Sequence, residues 1–168
     1  MPLAFIARSA FAVLVEARLP IRSMDDLIAR SKAAPGKLSL GNEGPRTFSG
    51  LIARRLNARS LAGANLVAYS SVGTGTQDLI GGPVDAMVAD LPATAQGVKQ
   101  GRLRLRLLAT TAARRVPGWE AVPALAERIA LIGLLVEAGL GPDQVAAFLR
   151  SEPAQWAASA KEIGRLPA

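Results

Sequence analysis

Short apolar runs alternate with segments of helical periodicity along most of this chain. Residues 11–15 and 131–136 are continuous apolar runs of strand length, whereas the apolar positions between Phe48 and Leu56 recur at a helical spacing. Strands that alternate with helices are typical of a sheet covered by helices. The pattern therefore predicts an α/β fold with a mixed or largely parallel sheet flanked by helices.

Capping residues and helix breakers divide this pattern into elements. Ser23 followed by Asp26 resembles a capping box, and Pro35 with Gly36 ends the helix that it starts. Thr47 is placed to cap a second helix. The predicted strands are 11–15, 38–40, 65–69, 84–88, 102–106 and 131–136; the predicted helices are 24–33, one from 48, 76–80, 91–99 and one from 142, with 70–75 as a loop.

The chain contains neither cysteine nor histidine. Disulfides, thiolate metal sites, a cysteine nucleophile and every Ser-His-Asp arrangement are thereby excluded for this sequence. The few carboxylates form no cluster at a spacing that is usual for metal ligands or for acid–base pairs. We therefore expect a protein that is not an enzyme, with no catalytic residues, no metal site and no cofactor.

The charge balance is basic, with 20 Lys and Arg against 13 Asp and Glu. Aromatic residues are only 4% of the chain, and the arginines are scattered, whereas nucleic-acid binders cluster cations and add aromatic rings for stacking. Between 102 and 106 Arg and Leu alternate strictly. A phosphate-binding ladder and a solvated strand face are both compatible with that alternation, and the solvated face is favoured. We expect no nucleic-acid partner.

The amino-terminal region contains a short apolar stretch at residues 10–15, with Arg8 before it and Glu16 after it. The stretch is shorter than the apolar core of an export signal, and no suitable cleavage sequence follows. It predicts a buried strand. No apolar run in the sequence reaches the roughly 18 to 20 residues that span a bilayer.

Two loops rich in glycine and hydroxyl side chains precede predicted helices, at 41–50 and 69–76. Helix N-termini offer N–H groups and a positive dipole end, which suit a carboxylate or a phosphate. For either loop taken alone, ordinary capping and tight turning is the favoured explanation. Neither loop has a P-loop lysine or a dinucleotide-binding glycine pattern. Asp90 follows a predicted strand, where it could contact a ligand or cap the next helix.

Several spaced segments together resemble the solute receptors of the tripartite tricarboxylate transporter family, the Bug-type periplasmic binding proteins. The likeness is specific because the segments occur in the family's order from the start of the chain to about residue 127. The segments are 19–29, 35–38, 41–50, 67–69, 78–85, 90–92, 114–117 and 122–123, with weaker likeness at 132–135 and 146–150.

The resemblance implies a type II periplasmic-binding-protein lobe that holds a small carboxylate. It assigns the chain to a single domain, 1–168, with the second lobe at about 20–125, hinge strands at about 10–16 and 131–136, and a closing helix region at about 142–164. The ligand-binding residues that it implies are Asn42, Gly44, Thr47, Ser49 and Asp90. Glu43 and Arg46 depart from the family's pattern in the same loop.

The resemblance also implies partners and a location. Family members work in the periplasm with membrane transporter subunits, although residues 1–20 show no convincing export signal. The matched segments are mainly those of the second lobe, so we expect the surfaces that pack on a first lobe to favour a homo-oligomer. The alternative function is an oligomerising interaction module that has lost ligand binding.

Overall fold

The computed structural model describes residues 9–61, 63–112 and 114–125. In chain order its elements are β1 (Phe11–Glu16), α1 (Met24–Ala33), β2 (Ser39–Asn42), α2 (Phe48–Arg59), β3 (Asn65–Ala68), α3 (Val72–Gly81), β4 (Ala86–Asp90), α4 (Leu91–Lys99) and β5 (Leu105–Thr110). Strands and helices therefore alternate as predicted in the described part of the chain, and the structure is α/β.

The five strands form one mixed sheet in the order β3-β2-β4-β1-β5. Strand β2 is parallel to β3 and β4, whereas β1 is antiparallel to β4 and β5. The carboxyl ends of β2 to β5 and the start of β1 therefore share one edge, called here the carboxyl edge. Glu16, Ser39 and Leu105 mark the opposite edge, called the amino edge.

Helices cover both faces of the sheet. Met24 and Leu27 of α1 and Leu56 of α2 pack in one core cluster, with alternate residues of β1 such as Val13. Leu79 of α3 and Leu91 of α4 belong to the cluster on the other face, with the intervening β1 residues Ala12 and Leu14. Because both faces of β1 are covered, its run of consecutive apolar residues matches a strand at the centre of the sheet.

The predicted caps at the first two helices are confirmed. Ser23 Oγ accepts a hydrogen bond from Asp26 N at 3.1 Å, and the Asp26 carboxylate accepts from Ser23 N at 3.0 Å, which completes the capping box. Thr47 Oγ1 accepts from Gly50 N at 3.1 Å at the start of α2. Helix α4 begins with Pro92 in its first turn, where the missing N–H costs no intrahelical bond.

Helix α3 begins four residues before the predicted helix 76–80, so the predicted loop at 70–75 is wrong beyond its first two residues. Ser71 caps the helix by accepting from Thr74 N at 3.2 Å. Two glycines lower the intrinsic helix propensity here, but Gly75 packs closely on the sheet: a Cβ at this position would lie 2.6 Å from Met87 Cε and would force the end of that buried side chain to shift. Packing against the sheet outweighs propensity in this segment.

Strand β2 ends at Asn42 and β4 ends at Asp90, in each case two residues later than predicted. Strand β4 also begins two residues later than predicted, at Ala86. The start of β4 is displaced because Asp85 pairs through its side chain and not through the ladder. Its Oδ2 accepts from Ser39 N at 2.9 Å and from Ser39 Oγ at 2.8 Å. Strand β3 ends at Ala68, one residue short of the predicted 65–69.

The prediction of a strand at 102–106 is wrong, since β5 spans Leu105–Thr110. Arg102 and Arg104 are exposed and precede the strand, so they form neither a phosphate ladder nor a solvated strand face. Arg106 is the one arginine of the alternation inside β5, and its guanidinium donates to the backbone carbonyls of Ile21 at 2.7 Å and Ala17 at 2.8 Å. The alternation of Arg and Leu over 102–106 is typical of a strand, but the strand itself begins later, at Leu105.

Residues 111–125 are irregular, as the sequence predicts. Ala124 returns to the sheet through one parallel bridge to Thr110, the last residue of β5. The predicted hinge strand at 131–136 and the closing helix region at 142–164 lie outside the described residues, as does the apolar surface on which the oligomer was predicted.

Candidate functional site

Three helices begin at the carboxyl edge of the sheet. Helix α2 follows β2, α3 follows β3 and α4 follows β4, so their N-termini, and with them the positive ends of their dipoles, lie along one edge. Phe11, at the start of β1, is paired with Asp90 in the ladder and so lies at this edge as well. The edge thus gathers the predicted site residues of both loops and Asp90.

Asn42 ends β2 and holds the loop that follows it. Its side-chain Oδ1 accepts from Gly44 N at 2.8 Å, and its Nδ2 donates to Val67 O at 3.3 Å. The residue is buried, with 4% of its surface exposed. Both ends of the amide are therefore engaged within the protein, and the side chain fixes the position of the Gly44 backbone relative to β3.

Thr47 and Ser49 share a hydrogen-bond network with the loop. Thr47 Oγ1 donates to Gly44 O at 2.8 Å and lies 3.0 Å from Ser49 Oγ. Ser49 Oγ also accepts from Glu43 N at 3.0 Å and lies 3.3 Å from Glu43 Oε2. Ser49 is fully buried, whereas Thr47 is exposed at the end of the helix. Both hydroxyls are engaged within the loop, and Thr47 is the residue of the two that lies at the surface.

Two glycines allow this loop to close. Gly44 has a φ of +107°, in the region that residues with a Cβ rarely adopt. A Cβ on Gly50 would lie 1.9 Å from the Gly44 carbonyl oxygen. The first turn of α2 therefore packs directly on the Gly44 backbone, which explains why glycine stands at both positions.

Asp90 is the N-cap residue of α4, but its side chain makes no capping hydrogen bond. Its carboxylate accepts from the Ser9 hydroxyl instead. Leu91 N donates to Ala10 O at 2.8 Å, so the start of α4 is tied to the start of β1. Of the two alternatives that the sequence left open for Asp90, side-chain capping is wrong, and a ligand contact stays a prediction.

The second loop, at 69–76, is organised by Ser71 and Tyr69. Thr74 Oγ1 donates to Ser71 O at 3.0 Å, next to the Ser71 cap. Partial burial of the Tyr69 phenol, together with its hydrogen bond to Asp78, raises its pKa above the ordinary value. A phenol with a raised pKa is neutral at physiological pH and serves as a hydrogen-bonding group.

The ionic character of the edge is mixed. Arg46 is exposed in the loop before α2, while Glu43 and Asp90 are partly buried. Within the part of the chain that the structure describes, no group of three or more acidic side chains is placed to hold a metal ion. Among the described residues, this edge offers a ligand the three helix N-termini and the exposed Arg46 side chain.

The sequence analysis treated Phe48 as part of the apolar face of α2, and the structure shows otherwise. Ile52 and Leu56 are buried, but Phe48 is 54% exposed and stacks on Phe11, with ring centroids 6.3 Å apart and an interplanar angle of 28°. The sequence signal for this exposure is that Phe48 directly follows the Thr47 cap and so lies next to the predicted ligand-binding residues.

The family model described as "Tripartite tricarboxylate transporter family receptor" matches residues 1–146. This chain belongs to that family. A protein of Cupriavidus necator, named "UPF0065 protein in gbd 5'region", is 37% identical over 122 residues, which are 73% of this chain and 36% of the relative. "Protein BugT" of Bordetella pertussis is 28% identical over 127 residues, or 76% of this chain and 38% of BugT.

Solved structures of low sequence identity share the fold. The structure "R. palustris Rpa4515 with adipate" superposes with a TM-score of 0.78 at 21% identity, covering 95% of this chain and 67% of that one. "Periplasmic binding protein BugD" has a TM-score of 0.68 at 21% identity, covering 93% and 56%. The mixed sheet flanked by helices is therefore that of the periplasmic binding proteins.

The matched relatives are longer than this chain, which spans less than two fifths of the two curated relatives named above. In the ranges that the structure describes, no helix has the length and the apolar character needed to cross a membrane. The family and the lobe architecture expected from the sequence are confirmed by the family match and by the shared fold.

Proposed function

We propose that this chain is the ligand-binding lobe of a solute receptor for small carboxylates. The observation that carries the proposal is that three helix N-termini lie at one edge of the sheet, in a chain that belongs to a receptor family. At one of them, the start of α2, the helix packs directly on the loop through the contact between Gly44 and Gly50. Oriented N–H groups and dipole ends stabilise an anion without a counter-charge from the protein. Solved relatives were crystallised with adipate and with malate, both carboxylates, which supports this ligand class.

Within the proposed site the five implied residues divide into two roles. Asn42, Gly44 and Ser49 shape the loop, because their polar groups are buried or engaged inside it. Thr47 lies exposed at the positive end of α2, and its hydroxyl donates to a bound carboxylate by exchanging its bond to Gly44 O for one to the ligand. Asp90, held by Ser9 at the end of β4 beside β1, meets a polar group of the ligand.

The proposal extends to setting and partners. The lobe binds and releases its ligand without chemical change, as a receptor does, and hands it to membrane subunits of a transporter. A periplasmic setting accords with the solved relative that is described as a periplasmic binding protein. No cofactor takes part in this function.

One observation favours a second candidate, an interaction module that assembles with copies of itself and has lost ligand binding. The polar side chains of Asn42 and Ser49 bond to the protein itself and not to open space. Under this candidate the loop is a structural turn, and carboxylates leave the protein unaffected. Light scattering would then show a stable oligomer, which is the predicted state of the chain under either function.

The test is a thermal-shift and calorimetric titration of the full chain with malate and with adipate. Ligand at a hundred times its Kd should add about 2.7 kcal/mol to the free energy of unfolding. Thr47→Ala removes the donating hydroxyl and should weaken binding about tenfold, a loss of ~1.4 kcal/mol. It also removes a helix cap, so its own stability falls by about 1 kcal/mol.

A matched cap variant separates these two effects. Ser23→Ala removes the equivalent cap from α1, next to the Ile21 carbonyl that Arg106 holds at the amino edge. It should lower the melting temperature as Thr47→Ala does, yet leave the Kd unchanged. Absence of a thermal shift with either acid would contradict the proposed function and favour the interaction module.

A further inference from the structure

The connections at the amino edge of the sheet carry exposed basic side chains. These connections are residues 17–23, 34–38, 60–64, 82–85 and 100–104. The one carboxylate among them is Asp85, which is partly buried and accepts from Ser39 N and Ser39 Oγ. The exposed cations among them, called here the amino-edge cations, are Arg18, Arg22, Lys37, Arg102 and Arg104.

Compensation of the helix dipoles does not account for the amino-edge cations. The carboxyl-terminal ends of α1, α2 and α4 have basic residues of their own in the last turn, namely Arg30 and Lys32, Arg59, and Lys99. The amino-edge cations lie outside the helices, on the connections. Their charge is therefore additional to that which the helix ends require.

Ion pairing within the protein neutralises only part of this charge. Arg18 pairs with the buried Glu16 carboxylate, and Arg22 directly precedes the α1 cap, where Asp26 accepts from its backbone N–H at 2.8 Å. Within the part of the chain that the structure describes, the side chains of Lys37, Arg102 and Arg104 form no ion pair. These three charges are open to an anion from outside the protein.

The amino-edge cations lie near enough to one another to face a single partner. Ala17 N donates to Arg104 O at 2.9 Å, so the connection that carries Arg18 and Arg22 abuts the one that carries Arg102. Lys37 precedes β2, which is three strands from β5 in the sheet order, or about 15 Å at the usual strand spacing. A flat anionic surface against this edge would meet all of them together.

The composition of this edge favours a charged membrane surface over a protein or a nucleic acid. Protein interfaces are built around an apolar core, yet the one large hydrophobic side chain that is mostly exposed among residues 9–61, 63–112 and 114–125 is Phe48, at the opposite edge. The connections that carry the amino-edge cations contain no aromatic residue on which a base could stack. An anionic bilayer requires neither feature, only several Lys and Arg side chains on one side of the protein.

We infer that the amino edge docks on the surface of a bilayer that contains anionic phospholipids, through the amino-edge cations and without insertion into the apolar interior. The guanidinium groups of Arg102 and Arg104 donate to headgroup phosphates, with which arginine forms paired hydrogen bonds. The starts of α2, α3 and α4 lie at the opposite edge, so a docked chain keeps the candidate ligand site turned away from the bilayer. Docking does not depend on carboxylate binding, so the two proposals stand or fall separately.

Co-sedimentation of the full chain with lipid vesicles tests the inference. Vesicles of equal parts phosphatidylglycerol and phosphatidylcholine should bind the chain at low salt, whereas vesicles of phosphatidylcholine alone should not. Raising the salt from about 0.01 M to about 1 M shortens the Debye length from about 30 Å to about 3 Å and should release the chain. The variant Arg102→Gln/Arg104→Gln should bind about 25-fold more weakly, about fivefold for each charge removed.

Arg46→Gln/Arg54→Gln is the matched control, because it removes the same charge from two exposed arginines away from the amino edge, in the α2 loop and in the middle of α2. It should weaken vesicle binding by less than about twofold, since screening confines the attraction to charges near the bilayer. Equal weakening by both double variants would overturn the inference, because net charge alone would then drive binding. Absence of binding to the anionic vesicles, or equal binding to phosphatidylcholine alone, would also overturn it.

A second readout tests which edge faces the lipid. With a nitroxide-labelled lipid in the anionic vesicles, amide signals of residues 17–22 and 100–104 in the isotope-labelled chain should broaden, while those of 44–48 should not. Broadening centred on 44–48 would overturn the orientation. Tighter binding to double-stranded DNA than to anionic vesicles of equal phosphate concentration would overturn the choice of partner.

Discussion

The two edges of the sheet use polar residues in different ways. At the amino edge several charged side chains are satisfied by the protein: the Arg106 guanidinium donates to backbone carbonyls, Arg18 Nε lies 2.7 Å from Glu16 Oε1, and Arg30 lies 3.5 Å from Asp85. At the carboxyl edge the loop before α2 is held by neutral hydrogen bonds around Gly44 and Thr47.

This difference distinguishes polar side chains that stabilise the fold from polar groups that lie at the surface, where a ligand can bind. Arg106 closes the 17–21 turn by satisfying carbonyls that the strands leave without partners, so its charge is used inside the fold. In the α2 loop the one charged group in the network is Glu43, whose Oε2 accepts from Ser49 Oγ at 3.3 Å, while Arg46 and the N-terminus of α2 lie at the surface.

The largest effect should come from adding a methyl group to the carboxyl edge. In Gly50→Ala the Cβ would lie 1.9 Å from the Gly44 oxygen, so the loop and the first turn of α2 must separate. We expect a loss of about 3 kcal/mol in the free energy of unfolding, measured by urea denaturation, and loss of carboxylate binding.

Gly73→Ala is the matched control, since it adds the same methyl group to the first turn of α3. Its Cβ would meet nothing closer than Ser71 Oγ at 3.7 Å, and alanine favours the helix by about 0.5 to 1 kcal/mol. This variant should be neutral or slightly more stable. Equal stability of the two variants would show that the Gly44–Gly50 contact does not shape the loop.

At the amino edge, Arg106→Gln should cost about 2 kcal/mol, because the carbonyls of Ala17 and Ile21 lose their charged donor. The exposed Arg104, two residues earlier, provides the control: Arg104→Gln should stay within about 0.5 kcal/mol of the original chain. Neither variant should change the Kd for a carboxylate by itself. A change in affinity with Arg106→Gln would mean that the two edges are coupled.

A smaller effect should appear in the pH dependence of stability. The hydrogen bond from the Arg18 side chain lowers the pKa of Glu16 below 4.5, and the backbone N–H of Arg22 lowers that of Asp26 below 3.8. A carboxyl group with a lower pKa when folded stabilises the fold fully above its unfolded-state pKa and loses that contribution as the pH falls through the folded one.

The melting temperature should therefore be flat above about pH 5 and fall below about pH 4. The double variant Glu16→Gln/Asp26→Asn should show a shallower fall over the same range in calorimetric scans. An unchanged acid limb in the double variant would place the responsible carboxylates elsewhere, against the assignment of paired charges to the amino edge.

The sequence predicts the elements that local chemistry determines and misses those that packing determines. The box of Ser23 with Asp26 and the Thr47 cap were predictable, because capping is read from residues three apart. The start of α3 was not, since the fit of Gly75 against Met87 is a contact between distant parts of the chain. The true extent of β5 was hidden for the same reason, as only its partner strand sets the register.

The candidate site divides in the same way. The residues Asn42, Gly44, Thr47 and Ser49 could be named from the loop's composition and its family resemblance, and the structure brings them together. Their roles could not be named, because whether a hydroxyl faces solvent or the Glu43 backbone depends on burial. The helical pattern, which treats every apolar position as core, concealed the exposure of Phe48, and only its place directly after the Thr47 cap indicated it.

The most direct test of the account is a map of backbone amide chemical shifts during titration of the full, isotope-labelled chain with adipate. The account predicts that the amides at the start of α2, residues 48–50, shift with a single saturating curve, while those of 17–21 beside Arg106 do not move. Shifts centred on 17–21, or spread evenly over both edges, would contradict the assignment of the ligand to the carboxyl edge.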